Sequence, residues 1–199
     1  MKTNAFIDSI RKIWKLPAIT VLENVDLPGT MLARIDILSS SLELKGSLSD
    51  ELTSPSCVVL AHELRHVWQS ANGWTFDGYI SDSSDIEAYN GQDVEVDAHA
   101  FAINVCSIVF DTAPAFRAFS PALRKRILER AIEQDSSESS QFDNFADVVD
   151  ELEEALSPSQ LASAAGVSLA TVYNVAKRLG RLPTVAELKA PRRPGPKKY

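Results

Sequence analysis

Apolar positions recur along this chain with two different periods. At Phe6, Ile7, Ile10, Ile13 and Trp14 the spacing is helical and Pro17 closes the stretch, so a helix is expected over residues 4–16. The pattern then changes. Ile19-Thr20-Val21-Leu22 is a short β-prone run, and past Pro28-Gly29 the residues Ala33, Ile35 and Ile37 alternate with Arg34, Asp36 and Leu38. Two or three antiparallel strands between residues 19 and 44 would satisfy that alternation. Helical spacing returns after Ser54-Pro55, through Cys57, Val58, Val59, Leu60, Leu64, Val67 and Trp68, and stops at Asn72-Gly73.

Residues 73–93 carry Gly, Ser, Asp and aromatics without a period and read as a loop. A further helix over about 93–110 places Val94, Ala98, Phe101, Ala102, Val105 and Ile108 near one face, and a charged amphipathic helix is expected over 121–133. The stretch 134–141, with Ser136-Ser137-Glu138-Ser139-Ser140, has a linker's composition, and residues 142–156 return to helical spacing with an acidic face. The expected class is α+β. The organisation this implies is a main domain over 1–134, an acidic linker or helix over 135–156, a small helical module over 157–182 and a basic, Pro-rich tail over 183–199.

At 199 residues and 45% apolar, the chain is long enough for one cored domain and a small appended one. No run approaches the roughly eighteen apolar residues of a membrane span, and Asp8 follows Phe6-Ile7 too closely for a signal peptide. A cytoplasmic protein without a membrane partner is the expectation. Cys57 and Cys106 lie inside apolar helical patterns and read as small core residues, which suits a reducing compartment. The net charge of −7 conceals an asymmetry: residues 1–156 carry 12 Lys/Arg against 26 Asp/Glu, whereas residues 157–199 carry 8 against 1. A polyanionic partner would therefore meet the C-terminal part.

His62-Glu63-Leu64-Arg65-His66 supplies the candidate chemistry. Positions four apart share a helix face, so His62 and His66 can present imidazole nitrogens to one zinc ion. Glu63 then reaches water at the metal rather than the metal itself and can act as general base. The apolar flanks bury this helix, and buried histidines and a glutamate need partners. A third ligand must come from elsewhere, and Glu95, Asp97 and His99 are the candidates. Glu95 and His99 are again four residues apart on one face.

The motif at 62–66, followed by Glu95-Val96-Asp97-Ala98-His99-Ala100-Phe101-Ala102, resembles the paired HExxH and E-x-(E/D)-A-x-x-F-A motifs of ImmA/IrrE-type metallopeptidases over residues 55–105. Arg65 stands where the family commonly has glycine. The resemblance implies a zincin-like domain with a gluzincin-like ligand set in which Glu95 is the third zinc ligand. Asp97 and His99 then become residues beside the ligands or alternatives to Glu95. The implied reaction is hydrolysis of a peptide bond in a protein substrate, with Glu63 as base. Tyr79, Tyr89 or Arg65 would donate to the developing oxyanion.

Residues 157–179 resemble the helix-turn-helix of bacterial and phage DNA-binding proteins. Ser157-Pro158 starts a helix, Ala162 is small where two helices meet, Gly166 supplies a left-handed turn, and Val172 and Val175 face back onto the first helix. The second helix would then expose Ser168, Thr171, Tyr173, Asn174, Lys177 and Arg178 toward bases and phosphates. Two functions follow from these readings. One is a zinc peptidase brought to a DNA-associated regulator by its own DNA-binding module. The other is a DNA-binding transcriptional regulator whose zinc site is structural or idle.

Overall fold

The structure, a computed structural model, describes residues 1–27, 32–37, 39–46, 51–81, 84–154, 158–179, 183 and 185–189. It is α+β, mostly helical with a small mixed sheet, and divides into two compact units, Lys2–Ala146 and the chain from Asp147 onward. No helix among the described residues is long and apolar enough to cross a membrane.

The first unit opens with α1 (Thr3–Ile13), which buries Phe6, Ile7 and Ile10 at the expected spacing. Strands β1 (Thr20–Leu22), β2 (Ala33–Asp36) and β3 (Ser41–Leu44) form a sheet in the order β1-β3-β2. β2 and β3 pair antiparallel, with Ile35 opposite Leu42. β1, however, pairs parallel with β3, with Val21 opposite Leu42, which corrects the expectation of a wholly antiparallel set. Alternation along a strand specifies which face is buried, not which neighbour lies beside it. Met31 and Leu38, at the margins of the expected strands, and the Pro28-Gly29 turn lie outside the described residues.

Helix α2 (Ser54–Ala71) begins where Thr53 and Ser56 cap one another: the Thr53 amide donates to Ser56 Oγ at 2.9 Å and the Ser56 amide to Thr53 Oγ1 at 3.4 Å. It ends at Asn72, and Gly73 follows at φ 79°, a conformation an L side chain seldom adopts. Residues 73–93 are not all loop. Asp85 caps a short helix α3 (Ile86–Asn90) by accepting the Ala88 amide at 3.0 Å, and five residues are too few to show a period in the sequence.

Helix α4 (Asp93–Phe110) is buried nearly all round from Val94 to Ile103, as a central helix must be. Ala98, Ala100 and Ala102 keep it thin enough for neighbours to approach closely. α5 (Pro121–Ser137), capped by Ser120, packs Leu123, Ile127 and Ala131 against Val96, Ala100 and Ile103 of α4. α6 (Ser139–Glu154) adds Phe142 and Phe145, whose rings meet the Trp14 ring at 5.3 and 5.9 Å between centroids. The Ser-rich stretch expected to be a linker is therefore the junction of two helices.

Glu138 at that junction explains its place. Arg65, fully buried on α2, donates to Glu138 Oε2 at 2.9 Å and Oε1 at 2.7 Å, and to Asp97 Oδ2 at 2.7 Å and Oδ1 at 3.3 Å. Arg130 Nε and Gln134 Nε2 also donate to Asp97 Oδ1, and the Trp14 indole donates to Glu138 Oε2 at 2.7 Å. Two guanidinium groups and two carboxylates thus offset one another, with Arg65 and Asp97 inside the core and Arg130 reaching in from its edge. The Arg65 guanidinium also lies 3.8 Å above the Trp68 ring.

In the second unit, α7 (Pro158–Ala165) and α8 (Leu169–Leu179) are joined through Gly166 at φ 65°. Leu161, Ala162 and Val172 form its core with Val185 and Leu188 of α9 (Val185–Lys189). The expected basic tail therefore starts with a helix that contributes to the packing. Ser157 and residues 191–199 lie outside the described residues.

Replacing Arg65 by Leu leaves Asp97 and Glu138 without their shared partner in a dry interface. Such a loss destabilises by about 3–5 kcal/mol. Arg34→Ala, which removes only an exposed pair with Glu43, should stay within about 1 kcal/mol. Urea unfolding of the two variants checks this, and equal effects would contradict it.

Candidate metal centre

α2 and α4 carry the centre between them. His62 and His66, one turn apart on α2, bring their Nε2 atoms within 3.0 Å of each other. Glu95, two residues into α4 and fully buried, sets Oε2 at 3.1 Å from His62 Nε2 and Oε1 at 3.4 Å from His66 Nε2. The ligating atoms of these three residues all lie within 4.8 Å of one another, a group that could hold a metal ion.

The electrostatics call for positive charge at the point of convergence. Burial lowers the His66 pKa to about 4, with the charge on His62 adding to the effect, so His66 is neutral. Burial works against an ionised Glu95, but the hydrogen bond and charge of His62 outweigh it and hold the carboxylate at about 2. Burial also disfavours protonated His62, yet Glu95 prevails and raises its pKa. Glu95 Oε2 is buried and meets only His62 Nε2, at 3.1 Å, while His62 Nδ1 is buried with no hydrogen-bond partner among the described residues. Two imidazoles and a carboxylate suit zinc.

Glu63 stands beside this group without joining it. Its Oε2 accepts the Ile35 amide of β2 at 3.0 Å, and burial pushes its pKa up to about 7 against the opposing charge of His62. Glu63 and His66 line a cavity of about 460 Å³ whose other walls include Ile35, Ile37, Phe76, Tyr79 and Tyr89. The Tyr79 hydroxyl donates to Glu95 Oε1 at 2.5 Å and lies 2.9 Å from the Tyr89 hydroxyl. Burial and the Glu95 carboxylate both raise the Tyr79 pKa, so its proton stays in place. Both tyrosines expected near the centre are thus brought to it.

The chain matches no protein-family model, no curated protein and no solved structure.

Three further residues that the sequence offers for the centre have other hydrogen-bond partners. Asp97 accepts from Arg65, Arg130, Gln69 and Gln134, which together engage both of its oxygens. His99 faces Asn90 Oδ1 at 2.8 Å through Nε2 and packs against Phe116 and Phe119. Its ring centroid is 4.5 Å from that of His62, and burial, helped by His62, pushes its pKa down to about 2. It supports the centre as a neutral neighbour. Arg65, considered as an oxyanion donor, is wholly taken up by Asp97 and Glu138.

Gln69 was not anticipated. It is fully buried, and its Oε1 faces His66 Nδ1 at 2.8 Å. The available signal was a polar residue three positions after His66, on the same helix face.

In the second unit, Ser168 Oγ accepts the Thr171 amide at 3.2 Å and lies 2.9 Å from Thr171 Oγ1, so both hydroxyls are engaged at the start of α8. Tyr173, Asn174, Lys177 and Arg178 are exposed along the helix.

His62→Ala and Glu95→Ala should each leave less than about half an equivalent of zinc on the purified protein, because ligand loss removes most of the binding free energy. His99→Ala should keep close to one equivalent. Elemental analysis reads all three, and an empty His99→Ala protein beside a filled Glu95→Ala protein would reverse the ligand assignment.

Proposed function

We propose that this chain is a zinc peptidase of the ImmA/IrrE type, with a zincin-like first unit and a second unit that binds DNA as a helix-turn-helix. One observation carries the enzymatic part: His62, His66 and Glu95 converge on one point while Glu63 and His66 line the cavity beside it. Three protein ligands leave a fourth position to water or substrate, as catalytic zinc sites do.

His62, His66 and Glu95 would hold the zinc ion, which when bound would acidify a water molecule and polarise a carbonyl. Glu63 takes the proton from the attacking water at its carboxylate and returns it to the leaving amine. The Ile35 amide keeps the Glu63 carboxylate turned toward the cavity. Tyr79 and Tyr89 line the same cavity as Glu63; with the Tyr79 proton given to Glu95, the 2.9 Å contact makes Tyr89 the donor to Tyr79, and Tyr89 would meet the oxyanion by exchanging that bond. Residues of β2, at one edge of the sheet, form one wall of the cavity, which suits an extended peptide.

DNA binding is supported by the exposed Tyr173, Asn174, Lys177 and Arg178 on α8 and by the positive balance of residues 157–199. Together the two activities describe a cytoplasmic peptidase that acts on a DNA-associated protein. The alternative, a DNA-binding transcriptional regulator with an idle zinc site, predicts the same metal content but no hydrolysis.

Glu63→Gln should keep its zinc and its fold while hydrolysis of an internally quenched peptide library falls by about a hundred- to ten-thousand-fold. Equal rates for parent and variant would remove Glu63 from the reaction, and no turnover by the zinc-loaded parent would favour the idle-site alternative. For DNA, the full chain should bind duplex less tightly as salt rises, and Lys177→Gln with Arg178→Gln should flatten that dependence. A titration of labelled duplex at two ionic strengths reads both, and binding indifferent to salt would contradict phosphate contact.

A further inference from the structure

Gln69 has one arrangement open to its amide. Its Nε2 lies 2.8 Å from the Val94 carbonyl oxygen and 2.9 Å from Asp97 Oδ2. Neither partner can donate, so the nitrogen must face them and Oε1 must face His66. An acceptor 2.8 Å from His66 Nδ1 requires a proton on that nitrogen. A neutral imidazole has only one. Nε2 therefore carries a lone pair, and that lone pair points at the region shared with His62 and Glu95.

Asp97 keeps the amide from turning over. A flipped amide would oppose its oxygen to the Val94 carbonyl and the Asp97 carboxylate at once. Both carboxylate oxygens already accept from donors that fix the group as an acceptor: Arg65 Nε at 2.7 Å on Oδ2, and Arg130 Nε at 2.8 Å and Gln134 Nε2 at 2.7 Å on Oδ1. Arg130 adds a second guanidinium, with its Nη2 2.7 Å from Asp97 Oδ1. His62 differs, because its Nδ1 meets no hydrogen-bond partner among the described residues.

We propose that Gln69 is a positioning residue that holds His66 in the Nδ1–H tautomer with its Nε2 lone pair aimed at the metal position, and that Asp97, fixed by Arg65 and Arg130, sets the orientation of the Gln69 amide. Only the consequence for metal binding rests on the reading of His62, His66 and Glu95 as ligands. The tautomer is a property of the metal-free protein. A buried carboxylate thus acts on the ligand through a neutral amide, and its negative charge stays one hydrogen bond further from the metal than in a direct carboxylate–histidine pair.

The chain has three histidines, so ¹⁵N-labelled imidazoles of the metal-free, full-length protein can be assigned singly at neutral pH. Long-range ¹H–¹⁵N correlation should report His66 as the Nδ1–H tautomer in the parent. In Gln69→Leu that preference should disappear, and zinc affinity, measured against a chelator, should fall by about ten- to a hundredfold. A parent His66 protonated on Nε2 alone, or a folded Gln69→Leu protein with tautomer and affinity unchanged, would overturn the proposal. Should Gln69→Leu fail to fold, the parent tautomer decides alone. A parent that shows the Nδ1–H tautomer yet takes up no zinc would contradict the metal assignment while leaving the positioning of His66 intact.

Discussion

Arg65 and Asp97 carry opposite charges into the dry interface between α2 and α4, 2.7 Å apart and both essentially excluded from solvent. Neither would be tolerated there alone, since an unpaired buried charge costs several kcal/mol. Glu138 and Arg130 complete the neutralisation, which ties the α5–α6 junction and the body of α5 to the same point. The pair also constrains the centre. Arg65 precedes His66 on α2 and Asp97 follows Glu95 by two residues on α4, so the register that satisfies the charges also brings the imidazoles to the Glu95 carboxylate. Here the interaction that holds the fold and the geometry that could hold a metal depend on each other.

The centre itself is a second, smaller electrostatic problem placed beside the first. Asp97 is offset by guanidinium groups and stays away from the cavity, whereas Glu95 has no guanidinium and turns to His62, His66 and Tyr79. Two acids two residues apart on one helix are thus given separate work by their partners. One is paired with guanidinium groups, and the other keeps a buried oxygen that meets only the His62 ring, where a cation fits. Glu63, bonded to a strand amide and bordering the cavity, adds a carboxylate that belongs to neither group.

Much of this was legible in the chain because it rests on local periodicity. The spacing of His62 and His66 places both on one helix face, and the four-residue spacing of apolar positions marks α1, α2 and α4. Glu95 was reached from the pattern Glu-x-Asp-Ala-x-x-Phe-Ala, while the bare residues left Asp97 and His99 equally open. What stayed hidden depends on contacts distant in sequence. Glu138 sits among serines that suggest a linker, and its partner Arg65 is 73 residues away. Parallel pairing of β1 with β3 leaves no trace in an alternating pattern, and α3 is too short to show one. The role of Gln69 was within reach, since it lies three residues beyond His66, but a buried glutamine announces itself only once its acceptors are known.

A peptidase role requires one zinc ion among His62, His66 and Glu95. Anomalous diffraction recorded on either side of the zinc absorption edge, from crystals of the zinc-loaded protein, tests this directly. It should give a single strong peak per chain about 2.0–2.2 Å from the Nε2 atoms of His62 and His66 and from a Glu95 carboxylate oxygen, with Glu63 outside bonding distance. No peak there, a peak on other residues, or a fourth protein ligand closing the coordination would contradict it.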